Sequence, residues 1–162
     1  MREGRQHPFV QIGKYLPYLE VIALALIITG VALDFSGNGS IVRMIGILLL
    51  AGVYFQYAFH RIELNLLPDE KQGFTELLRF SIVPKVLWLS CSVSLVGIAF
   101  YLLKLTPQSY QQLLLIGAVT LASGFVILLP AVLGNARNAD KLVPLLYRAA
   151  PLVVLDIYLL MK

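Results

Sequence analysis

The sequence predicts an all-α membrane protein, a single transmembrane helical bundle over residues 1–162 with five transmembrane helices. Three observations carry that prediction. Of the 162 residues, 59% are hydrophobic and only 14% charged, where soluble domains hold roughly 45–50% apolar residues. Mean hydropathy is +0.81. Five apolar runs, 16–35, 41–59, 82–103, 113–133 and 142–161, each reach the length of about 17–25 residues that one helical crossing of the hydrocarbon requires.

The first run follows a basic stretch, the order found in signal peptides. Glu20 interrupts it, however, and no small-x-small cleavage motif follows, so retention as a span is expected. DFSGNGS at 34–40, rich in Gly, Ser and Asn, closes a tight hairpin with the second run. The longest polar connection, HRIELNLLPDEKQGFTELLRFS at 60–81, has two helical flanks around a PDEKQG turn. Leu64, Leu67, Leu77, Leu78 and Phe80 are its apolar positions for the membrane surface, and helix extension plus a solvated turn is the expectation ahead of a partner-docking surface. The third run holds Cys91, which has no second cysteine to pair with and so reports no redox compartment. TPQSYQQ, within 104–112, closes a second tight hairpin. The fifth run carries two opposite charges, Arg148 and Asp156, with Pro151 between them. The proline removes one helical hydrogen bond and frees the Tyr147 carbonyl, which predicts a kink.

Small residues recur in the second and fourth runs: Gly46 and Gly52, then Gly117, Ala118, Ala122, Ser123 and Gly124. In lipid, where helices gain little hydrophobic drive from meeting each other, such residues allow close backbone approach. Spans two and four are therefore the expected central packing pair. A candidate parallel two-helix repeat is also visible. Pro17, Pro84 and Pro151 share one spacing, and Gly30-Val31-Ala32 recurs as Gly97-Ile98-Ala99. In the second and fourth runs Ile45-Gly46 matches Ile116-Gly117. The arrangement is a helical hairpin used twice, with the fifth run opening a third copy.

Loop charge sets the expected orientation, because Lys and Arg in short loops accumulate on the cytoplasmic side. With five spans, Arg2, Arg5, Lys14, Arg61, Lys71, Arg79, Lys85, Arg137, Lys141 and Arg148 fall on one side. Arg43, Lys104 and Lys162 fall on the other. This places the N-terminus in the cytoplasm and the C-terminus outside, in an inner or plasma membrane. Laying the fifth run on the inner surface would move only Lys162, so the count fixes orientation without deciding that span. The net charge of +4 is spread over three inner segments, which argues against nucleic-acid binding.

An ionised group in hydrocarbon costs at least about 2.5–3.5 kcal/mol, so each intramembrane charge needs a partner or a route to water. Arg148 lies about 9 Å inside the inner edge of the fifth run and Asp156 about 7.5 Å from its outer edge. About 12 Å apart along a straight helix, they cannot pair with each other. Depth matches Glu20 to Arg148 and Arg43 to Asp156, two clasps that would dock the fifth helix on the first hairpin. Asp34 competes for Arg43. Alternatively, Glu20 and Asp156 line a polar path, or Arg148 extends to the inner phosphates.

Chemistry is sparse. His7 and His60 are the two histidines, too few for bis-histidine haem in facing spans. His60 and Glu63 have the i, i+3 spacing of carboxylate metal sites, a weak signal by itself. No Cys-x-x-Cys, Walker lysine, Gly-x-Ser-x-Gly or His-Glu-x-x-His is present. Asn38-Gly39-Ser40 has the form of a glycosylation acceptor but sits in a turn close to the bilayer. No metal, cofactor or catalytic residue is expected. The expectation is a non-catalytic integral membrane scaffold or accessory subunit, embedded in the lipid bilayer within a homo-oligomer or with other membrane subunits. The alternative is a small transporter or channel moving an ion, proton or polar solute past Glu20 and Asp156.

Overall fold

The computed structural model describes residues 13–36, 39–59, 74–134 and 139–162. The reading of 60–73 as a turn with a helical flank, the His60–Glu63 pair and Asn38 lie outside these residues. The described chain is helical, and no strand occurs among the described residues. Its principal helices are α1 (Leu16–Ala32), α2 (Gly39–Tyr57), α3 (Val83–Leu102), α4 (Pro107–Leu133) and α5 (Val143–Leu160).

Pro17, Pro107 and Pro144 each stand in the first turn of their helix, where the missing N–H costs nothing and φ is already helical, while Pro84 directly follows a π-helical turn that bonds the Val83 N–H to the Leu78 carbonyl. A 3₁₀ turn, Leu33–Ser36, leaves α1. A short helical turn, Phe74–Leu77, and a π-helical turn, Leu78–Ile82, lead into α3. The fourth helix begins earlier than the apolar run suggests: TPQSYQQ is its first two turns rather than a loop. Thr106 is extended, Pro107 starts the helix, and the Ser109 N–H donates to the Thr106 carbonyl at 2.9 Å. Polar residues extend a helix as readily as apolar ones once it is nucleated, and α4 reaches about 40 Å at 1.5 Å per residue.

The α3–α4 connection shrinks accordingly to Leu103–Thr106. The Leu105 N–H bonds to the Phe100 carbonyl and the Lys104 N–H to the Tyr101 carbonyl, the paired bonds of a Schellman cap. Lys104 occupies the left-handed position with φ 54°, where glycine is usual.

Four helical stretches, Gly39–Tyr57, Leu78–Leu102, Pro107–Leu133 and Val143–Leu160, are long and apolar enough to cross a membrane. The charged fifth run is among them. Leu16–Ala32 is apolar but shorter, about 25 Å of α-helix.

Helix α3 is the hub and the most buried of the long helices, packing on α2, α4 and α5. Three buried stripes with alternating spacings of three and four residues build its side of the bundle. They are Pro84, Leu87, Cys91, Ser94 and Ile98 on α3; Leu114, Gly117, Leu121, Gly124, Leu128 and Ala131 on α4; and Leu145, Ala149, Leu152, Asp156 and Leu159 on α5. This is the spacing of coiled-coil seams. Large and small residues alternate on α4, and Leu87 occupies the notch at Gly124. The α1–α2 hairpin closes by a tighter fit. A Cβ on Gly46 would stand 2.9 Å from the Ala23 carbonyl and the Ile27 nitrogen, and one on Gly30 would collide with the Arg43 backbone.

The expected packing of span two against span four is therefore corrected. Gly46 serves α1, Gly117 and Gly124 serve α3, and Gly52 has no neighbour within 4 Å and faces outward. Tight turns keep hairpin partners adjacent, and the small residues Gly117 and Gly124 of α4 face α3 and, at Gly117, α5 as well. The expected kink at Pro151 is also not a break. Helix α5 runs through it, and Pro151 and Tyr147 both point outward, so the freed carbonyl offers no polar patch to the interior.

A charge cluster within the bundle and a buried carboxyl group

Glu20 lies one turn into α1, and its side chain is 8% exposed. It shares the α1 face of Ala23 and Gly30, which is turned into the bundle. Arg148 approaches from α5, its side chain one-third exposed, and its Nε donates to Glu20 Oε1 at 2.6 Å. A charge-assisted bond of that length is among the stronger polar contacts available to a protein. The second carboxylate oxygen accepts from the Tyr57 hydroxyl at 3.3 Å, and the Tyr54 hydroxyl lies at 3.5 Å from the first. The Arg148 guanidinium sits 5.8 Å from the Tyr57 ring centre and 5.9 Å from that of Trp88. Tyr57 and Trp88 stack at 4.8 Å, with Tyr54 5.1 Å from Trp88. Hydrogen bonds satisfy the carboxylate while ring faces stabilise the cation.

Four helices meet in this cluster: α1 through Glu20, α2 through the tyrosines, α3 through Trp88 and α5 through Arg148. The Glu20–Arg148 pair anticipated from depth is formed. The aromatic platform was not anticipated, although Tyr54 and Tyr57 stand at helical i, i+3 spacing and Trp88 lies near the same end of its own helix. Interfacial aromatic enrichment was the signal available for it.

The second expected pair does not form. Arg43 Nη1 binds Asp34 Oδ2 at 2.7 Å across the α1–α2 turn, the competitor named by the sequence. Helix α5 packs on α3 and α4, which directs Asp156 away from the first hairpin. Asp156 is fully buried, and the Ser94 hydroxyl donates to its Oδ2 at 2.6 Å. Its Oδ1 has no hydrogen-bond partner. Gly117 makes the room: a Cβ there would collide with Ser94 Oγ and stand 3.2 Å from Asp156 Oδ2. Ser94 was missed by the sequence reading because its partner lies on a helix far along the chain. The available signal was the run of buried hydroxyls Ser90, Ser92 and Ser94 on α3.

Among the described residues no group of three or more His, Cys, Asp or Glu is placed to hold a metal ion. Chemically, the first site can tie helices together, and the second offers one unsatisfied acceptor in an apolar seam. Comparison of the chain with protein-family models, with curated proteins and with solved structures finds no match in any of the three.

Proposed function

We propose that the protein is a non-catalytic integral membrane scaffold or accessory subunit, crossing the bilayer five times with its N-terminus in the cytoplasm and residue 162 outside. The observation that carries this reading is the Glu20–Arg148 tie. Glu20 and Arg148, set within their helices, are engaged with each other and with two hydroxyls, an arrangement suited to holding helices. The connections between the first and second and between the third and fourth helices are too short in sequence to form a domain of their own, which leaves helix faces as a binding surface. Exposed apolar side chains such as Ile45, Phe55, Val126 and Leu133 suit lipid or further membrane subunits. As the first span, α1 is short, and its 3₁₀ extension to Ser36 brings the apolar element nearer to the thickness of the hydrocarbon.

A two-helix repeat accompanies this reading. Pro17 and Pro84 are each the second residue of their helices, and Gly30 and Gly97 each face the partner helix of their own hairpin. Gly46 and Gly117 do the same from the other side. Pro151, the third member of the spacing, lies inside α5, so the resemblance of the fifth helix to a third copy is the weakest part.

The orphaned Oδ1 of Asp156 favours a second reading, a small transporter or channel in which that carboxyl group meets a proton, cation or polar solute. Charge exchange decides the first reading: Glu20→Arg and Arg148→Glu each lower thermal stability in detergent, and the double exchange restores much of it. Stable single variants would overturn the tie. Proton or cation flux into liposomes that is lost in Asp156→Asn would replace the scaffold by the transporter. Labelling of cysteines introduced at Lys14 and Lys104 in sealed vesicles, from opposite sides of the membrane, tests the orientation.

A further inference from the structure

At the end of the bundle remote from the Glu20–Arg148 cluster, an open cleft of about 540 Å³ runs between the start of α2 and the α3–α4 turn. Its polar lining is Ser40, Arg43, Tyr101, Lys104 and Tyr110, with no carboxylate among the lining residues. Two cationic side chains, one of them paired with Asp34, and three hydroxyl-bearing residues thus line one space. Asp34 holds Arg43 through Nη1 at 2.7 Å, while the buried Nε of the same guanidinium has no hydrogen-bond partner. Tyr101 and Tyr110 meet edge to face at 5.3 Å, which fixes one wall. Lys104 is in the left-handed backbone region. Glycine would occupy that position without steric cost, whereas a lysine there carries some backbone strain.

From this lining we infer that the cleft is a binding site for a phosphate-bearing anion. Guanidinium, ammonium and hydroxyl groups are the donors that phosphate oxygens accept from. The cleft lies where helices end and tyrosines gather, the depth of lipid headgroups in a membrane-embedded bundle. The anion is either the phosphodiester of an anionic lipid or free phosphate, and both present the same oxygens. The site is independent of the scaffold reading, since it uses none of the residues of the Glu20–Arg148 tie.

The test is native mass spectrometry of the full chain in neutral detergent, with dioleoylphosphatidylglycerol, dioleoylphosphatidylcholine or inorganic phosphate added. The expected result is one retained phosphatidylglycerol, preferred over phosphatidylcholine. Its occupancy falls about tenfold in Lys104→Gln and in Arg43→Gln, the loss expected for one charge-assisted contact, and is unchanged in Lys85→Gln at the opposite end of α3. Arg43→Gln also releases Asp34, so Lys104→Gln, made in a surface turn, is the deciding variant. If inorganic phosphate displaces the lipid, or binds alone and is lost in Lys104→Gln, free phosphate is the ligand and the site stands. Equal binding by wild type and Lys104→Gln, or equal uptake of both lipids, overturns the proposal.

Discussion

The α1–α2 hairpin and the unit formed by α3, α4 and α5 are both apolar helices in contact, yet they are held by different means. In the hairpin, backbone meets backbone: Gly46 sits against the Ala23 carbonyl and the Ile27 nitrogen, and Gly30 against Arg43. In the three-helix unit, side chains fill notches, with Leu87 at Gly124 and Ser94 at Gly117. The first kind of contact is rigid and the second can adjust by rotamer changes. Interfaces with the same small-residue composition therefore differ in how much error they tolerate.

One substitution at three glycines breaks or sharpens that contrast. Gly46→Ala is expected to have the largest effect, a loss of about 3 kcal/mol, the upper end of overpacking costs, because backbone must move. Thermal unfolding in detergent reads it, and a variant as stable as wild type would mean the hairpin is looser than its geometry. Next comes Arg148→Ala, which cuts the polar link from the three-helix unit to α1. Removing one partner of a fully buried pair costs about 3–5 kcal/mol. Arg148 keeps 33% of its exposure, so about 2–3 kcal/mol is expected after allowance for solvent screening. Limited proteolysis should then cut between α2 and α3 first, and an unchanged cleavage pattern would show that the apolar α2–α3 contact suffices.

Gly124→Ala is expected to cost only about 1 kcal/mol, since the colliding atoms belong to the end of the Leu87 side chain and can turn away. Equal losses at positions 46 and 124 would erase the distinction between the two regions. Smallest and opposite in sign is Gly52→Ala, with open space around it. There the gain in helix propensity, up to about 1 kcal/mol, meets no steric charge, and a destabilised variant would reveal a neighbour on that face. All three glycine variants are read by the same melting experiment.

The two charge sites divide along a similar line. Glu20 and Arg148 were matched by depth alone, because a carboxylate and a guanidinium at one level of a small bundle have few other partners. The same reasoning failed for Arg43 and Asp156. Their depths agree, but Asp34 is nearer to Arg43 along the chain, and the lateral order of helices puts α5 beyond α3 from the first hairpin. Depth along a helix is legible from residue number at 1.5 Å per step. Rotation and neighbour order are not, because Leu, Ile and Val serve equally on a lipid-facing and a helix-facing surface.

By itself, then, the sequence determined the helical class, the approximate extent of the apolar segments, the presence of short connections between them, and which polar groups need partners. Length, hydropathy and turn chemistry are local properties, and the cost of an unpaired charge in an apolar setting applies in any arrangement of the helices. Only the tertiary structure decided that α3 is the hub, that Tyr54, Tyr57 and Trp88 surround the Glu20–Arg148 pair, that Ser94 receives Asp156, and that Gly52 faces outward while Gly46 does not. Those choices follow from which helix faces interlock, a matter of side-chain shape summed over whole interfaces, and no single stretch of chain contains it.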